Sequence, residues 1–187
     1  MTELAEDADP LHREQPKATP EAGLFGRGVQ RAGIIFALAI LVSAVLLFYE
    51  VIMRYVFNAP TSWVHETVVF LNASAFVFGG LFAAALDKHI RVVLFYDRLS
   101  DQTRRLFNVG ISIACFVSSV FFAWAAWQSV KRAAWTPQGE FHLETSGSAW
   151  NPPYPGLLKV FLFVVLILLA VQFAILAVNY ARAKGRN

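Results

Sequence analysis

The sequence predicts an all-α integral membrane protein. Four transmembrane helices are expected, with both termini cytoplasmic and an interfacial amphipathic helix between spans two and three. Three observations carry this. Apolar stretches run over about residues 30–53, 64–86, 106–130 and 157–180. A helix rises about 1.5 Å per residue and the hydrocarbon layer is about 30 Å thick, so each stretch is long enough to cross. Hydrophobic residues make up 57% of the 187 and charged residues only 16%, against about 25% charged in an average soluble domain. A soluble chain of this length has no core able to hide four such segments. Finally, Lys and Arg are distributed unevenly. Arg13, Lys17, Arg27 and Arg31 precede span one, Lys88, Arg91, Arg98, Arg104 and Arg105 separate spans two and three, and Arg182, Lys184 and Arg186 follow span four. The other side holds only Arg54, Lys131, Arg132 and Lys159. Basic residues favour the cytoplasmic side, which places both termini there.

Residues 1–29 read as a disordered cytoplasmic tail, rich in acids and poor in large apolar side chains. The first apolar segment follows this polar tail and is too long for a signal-peptide core. Residues 30–180 form the membrane domain, and 181–187 a short cytoplasmic tail. Span one is apolar until Glu50, which shares a helix face with Arg54 four residues on. Two readings stay open for this pair: an interface anchor, or a contact to a neighbouring subunit. Asn58 and Pro60 break the helix. Thr61 or Ser62 can cap span two, Trp63 belongs in the aromatic belt, and Glu66 is expected in the first turn, where the helix dipole favours an anion.

Within span two, Ala75, Gly79 and Ala83 recur every four residues, flanked by Gly80 and Ala84. Small residues at this spacing let another helix approach closely, and Asn72 nearby can bond across such a contact. Whether the packed helix belongs to this chain or to a partner is open at this stage. In the next connection, Val92, Phe95, Tyr96 and Leu99 would face lipid if the segment is an interfacial helix. Span three carries Ser112, Cys115, Ser118 and Ser119, with Trp124 and Trp127 towards its outer end. The serines can bond back to their own helix carbonyls. The loop 131–156 is too aromatic for simple disorder and is expected to form an ordered cap or dock a partner, with Asn151–Pro155 extended as polyproline II. In span four, Gln172 is the polar residue near mid-depth.

The chemistry is sparse. His65 and His89 stand at opposite ends of span two, so one helix cannot place both on one haem. No zinc spacing, phosphate loop, nucleophile elbow or carboxylate pair occurs, no cofactor is expected, and the basic residues are explained by topology without nucleic acid. The reading is not an enzyme. Two rival classes are a four-span redox or haem carrier and a stand-alone channel.

The run Arg54–Glu66 (RYVFNAPTSWVHE), followed by Phe78–Val92 (FGGLFAAALDKHIRV), resembles the small permease subunit of tripartite ATP-independent periplasmic (TRAP) transporters, the DctQ-like family. The resemblance rests on Arg54, Tyr55, Trp63, Glu66, Gly79, Gly80, His89, Ile90, Arg91 and Val92 in order, and covers about residues 30–180. Thr67 and Val93 stand where many members carry an acid. The resemblance implies a multi-pass protein of the bacterial inner membrane. It implies a scaffold for a large permease subunit that itself holds the substrate and sodium sites. A periplasmic solute-binding protein would deliver an organic acid. Arg54, Trp63, Glu66, Gly79, Gly80 and His89 become candidates for helix packing, interface anchoring and partner contact, with membrane lipids as further neighbours.

Overall fold

A computed structural model describes residues 22–86 and 101–182. Its helices are α1 (Gly23–Tyr55), α2 (Ser62–Ala85), α3 (Asp101–Ala134) and α4 (Tyr154–Arg182). All four are long and apolar enough to cross a membrane. The expected interfacial helix, with Val92 to Leu99, lies outside the described residues, as does His89.

Two antiparallel hairpins, α1/α2 and α3/α4, are joined side by side through α2 and α4. The helices therefore stand in the order α1, α2, α4, α3, and α2 runs parallel to α4. The row is bent rather than flat, because α1 also touches α4, with the Phe36 and Phe161 rings 5.8 Å apart. Apolar side chains on α1 such as Ile34, Leu41, Val45 and Phe48 remain exposed, as do Phe107, Val117, Phe121 and Phe122 on α3. Lipid tails solvate such surfaces as well as a protein core does, so nothing forces a closed bundle.

Aromatic contacts set the register of the first hairpin. Phe36 stacks on Phe78 with centroids 4.1 Å apart, and Tyr49 meets Trp63 at 6.1 Å. Gly33 lies so close to the Phe82 ring that a Cβ there would come within 2.6 Å of it. Between α2 and α4, Phe70 stacks on Tyr154 at 4.5 Å. Between α3 and α4 the packing relies on small residues. Ser112, Ser119, Ala123, Ala126, Val130 and Ala133 of α3 are buried, as is Ala134 at its end; the first six are spaced three, four or seven residues apart, which keeps one face turned to a neighbour. Ser119 returns its hydroxyl to the Cys115 carbonyl at 2.7 Å. Trp127 closes this pair against Phe163 at 5.3 Å. Below it, Arg105 donates from Nε to the Tyr180 carbonyl at 2.9 Å and from Nη2 to the Ala181 carbonyl. Those carbonyls lie in the last described turn of α4, where the dipole favours a cation.

Three local expectations change. First, α1 begins at Gly23, ahead of the expected span, and Ala22 is buried with Ala84, Phe173 and Leu176. A helix need not stop where the apolar run stops, so residues 23–29 are helical rather than tail. Second, α2 begins at Ser62, so Glu66 falls beyond its first turn. Third, Asn151 is left-handed (φ 50°) and not extended, and Tyr154–Pro155 belong to α4. Proline fits a first helical turn because its missing N–H has no partner there anyway.

The α3–α4 connection is ordered by the helix ends it joins. The carbonyls of Ala133 and Ala134 accept the N–H groups of Glu144 (2.7 Å) and His142 (3.0 Å). Gly156, in the first turn of α4, donates its N–H to the Glu144 carbonyl at 3.2 Å. The loop thus satisfies unpaired groups of both helices. A tight turn at Gly139 (φ 87°) brings Trp135 against Phe141, and Lys159 pairs with Glu144.

Candidate functional site

At the loop end of the first hairpin, Glu50 gathers three donors. Arg54 Nη2 reaches Glu50 Oε1 at 2.6 Å, the Thr61 N–H reaches Oε2 at 3.1 Å, and the Thr61 hydroxyl donates to Oε2 as well. Glu50 is buried, whereas the Arg54 side chain is 52% exposed. A carboxylate at this depth needs charge-assisted bonds, and the short turn after Asn58 (φ 52°) returns Thr61 to supply them. Thr61 occupies the N-cap position of α2 with extended backbone, but its hydroxyl serves Glu50 and makes no capping bond. The pair Glu50–Arg54 is visible in the sequence. The third member, Thr61, is not, because it is brought in by the turn.

Of the other candidates, Trp63 packs against Tyr49 and is 40% exposed. Glu66 has its Oε2 buried with no hydrogen-bond partner among the described residues. Gly79 and Gly80 are bare: a Cβ at either would meet nothing within 4 Å. Glu50, Arg54 and Trp63 therefore cluster at one end of the hairpin, and Gly79 and Gly80 lie several turns away. The five candidates among the described residues form separate stations rather than one site.

The exposed stations on α2 nonetheless share a face. His65, Val69, Asn72, Phe76, Gly79 and Gly80 are all exposed and recur every three or four residues. Phe76 is 85% exposed. Beside it, a cleft of about 560 Å³ is lined by Ile40, Asn72, Ala75, Phe76, Gly79 and Gly80. Asn72 stands near the middle of α2, exposed, with no hydrogen-bond partner among the described residues. An amide turned to hydrocarbon at mid-depth is unfavourable, and small residues around it admit a helix that can bond to it. The stripe is an exposed face of small residues that the other described residues leave uncovered. The small residues that do pack within the chain, Ser112 to Ala133 on α3, carry the same spacing signal in the sequence.

Other clefts differ in character. One of about 540 Å³ between α3 and α4 is apolar, lined by Phe116, Val120, Ile167 and Val171 among others. Another of about 520 Å³ at the opposite membrane end carries Arg27, Gln30 and Arg31 above Gly33 and Phe82. Among the described residues no group of three or more His, Cys, Asp or Glu side chains could hold a metal ion.

Such a molecule is a multi-pass helical membrane protein with an exposed stripe of small residues on α2. Residues 43–182 match the family described as tripartite ATP-independent periplasmic transporters, DctQ component. The chain belongs to that family and is a TRAP transporter component. No curated protein matches the chain.

Proposed function

We propose that this chain is the small membrane subunit that scaffolds the large permease of a TRAP importer in sodium-coupled, binding-protein-dependent uptake of an organic acid. The observation that carries the scaffold reading is the bare α2 face: an unpartnered Asn72 beside Ala75, Gly79 and Gly80. The large subunit packs a helix there and holds the solute and sodium sites, and a periplasmic solute-binding protein delivers the cargo. The chain lies in the bacterial inner membrane with both termini cytoplasmic, as its Lys and Arg placement favours. The Arg27–Arg31 cleft then sits at the cytoplasmic leaflet, where paired cations suit a phospholipid headgroup.

Gly79→Leu tests the reading. It fills space that is empty in the isolated chain, so the melting temperature of the chain alone is expected to stay the same. Copurification with the large subunit, and solute uptake by cells expressing all three components, are expected to be lost. Intact copurification and uptake would remove the docking face from the argument. Uptake that survives deletion of the whole chain would remove the scaffold.

A further inference from the structure

Glu66 is a carboxylate without an internal explanation. Glu50 and Glu144, at the same membrane end, are both ion-paired. Glu66 Oε2 is shut away with no donor among the described residues. A buried carboxylate oxygen left in that state is costly, so it points to a missing partner. His65 precedes it, but adjacent residues on a helix do not face one another.

The surroundings define what that partner is. Glu66 lines a cleft of about 370 Å³ with His65, Val69, Phe70, Tyr154 and Leu158. The stacked rings of Phe70 and Tyr154, 4.5 Å apart and 14° from parallel, form part of its wall. The Tyr154 hydroxyl lies 3.5 Å from the Thr67 hydroxyl, which helps hold the ring. An acid set among largely aliphatic and aromatic walls, with His65 and Ser146 as the further polar neighbours in the cleft, matches a long basic side chain. The methylenes of such a side chain would lie on Val69 and Leu158, its charge would meet the carboxylate, and the ring faces would add cation–π attraction.

We propose that Glu66 is the socket for an Arg or Lys side chain of the large permease subunit. The inference rests on the docking face described above. The cleft opens beside His65 and Val69, which belong to the same exposed stripe as Asn72 and Gly79. That continuity favours a protein side chain over the ammonium of a phospholipid. The socket anchors the loop end of the interface, while the glycines seat the helix deeper in the membrane.

The test uses the assembled complex of both subunits in detergent. Subunit dissociation is measured across a salt series for wild type, Glu66→Gln, Glu66→Lys and Gly79→Leu. Bound phospholipid is read by native mass spectrometry, and melting of the isolated chain is followed in parallel. Removing one partner of a desolvated charge pair is expected to weaken the complex about tenfold or more. Glu66→Gln is also expected to flatten the salt dependence, and Glu66→Lys to weaken binding further by setting like charges together. The isolated Glu66→Gln chain is expected to melt no lower than wild type, which separates docking from folding. If Glu66→Gln and Glu66→Lys bind like wild type while Gly79→Leu separates the subunits, the socket is wrong and the docking face stands. If none of the three matters, both readings fall. If Glu66→Gln strips a bound phosphatidylethanolamine and leaves subunit affinity unchanged, the occupant is a lipid amine and the proposal is overturned.

Discussion

Gly156→Ala tests whether the α3–α4 connection is held in place by its fit against the start of α4. A Cβ at Gly156 would lie 2.6 Å from Leu143 Cγ, 2.9 Å from its Cδ1 and 3.1 Å from the Glu144 carbonyl oxygen. Carbon atoms in comfortable contact sit about 3.5–4.0 Å apart, so the loop must retreat by about 1 Å. It has little freedom to do so, because the N–H groups flanking Leu143 are bonded to Ala134 and Ala133. Overpacking of this kind costs about 1–3 kcal/mol. A local opening free energy lowered by about 2 kcal/mol speeds amide exchange roughly thirtyfold, since about 1.4 kcal/mol is tenfold. The assay is hydrogen exchange on the detergent-solubilised chain, read at the Glu144 and Gly156 amides. Gly79→Ala, whose added methyl meets nothing, is the control. Equal protection in Gly156→Ala and wild type would refute the reasoning, because it would mean the loop slides aside freely.

Three further predictions concern the helices. Glu50→Gln is expected to lower the melting temperature of the isolated chain more than Arg54→Met, because the buried carboxylate also holds Thr61 whereas Arg54 is half-exposed; equal effects in thermal melts would show that Thr61 contributes nothing. Arg105→Met removes the guanidinium bonds to the Tyr180 and Ala181 carbonyls and is expected to cost about 1 kcal/mol in denaturant titration, with faster exchange in the last described turn of α4; unchanged exchange there would count against the anchoring role of Arg105. Gln172 is fully buried and both polar atoms of its amide lack partners among the described residues. Gln172→Leu, close in volume, is expected to stabilise the isolated chain by about 1 kcal/mol, and a destabilised variant would show that the amide has a use.

Four spanning helices were legible because lipid asks for little beyond length and apolarity. Their arrangement was not. In water an amphipathic stripe tells which face is inside, but in lipid both faces are apolar and the pattern is silent. Small-residue spacing was the one usable signal, and it occurs twice. On α3, Ser112 to Ala133 pack against this chain's own α4; on α2, Gly79 and Gly80 face outward. Both stripes follow a helical repeat of small residues, so the sequence does not say which one is internal. Glu66 illustrates a different limit. With Ser62 as the cap Glu66 would fall in the first turn; Thr61 takes the N-cap position instead, and that one-residue shift puts Glu66 beyond the first-turn amides. At Asn151 the prolines suggested extension, but a left-handed residue and the early start of α4 replaced it. Arg105 had been explained by membrane topology, and that explanation hid its second task at the end of α4.

The division into two hairpins has a consequence for how the polypeptide is assembled. Each hairpin carries its own register, Phe36 on Phe78 in one and Trp127 beside Phe163 in the other. They meet along the parallel pair α2 and α4. A gene split between Leu86 and Asp101 should therefore yield two pieces that insert separately and find each other in the bilayer. A cut inside either hairpin should leave a lone helix with no mate.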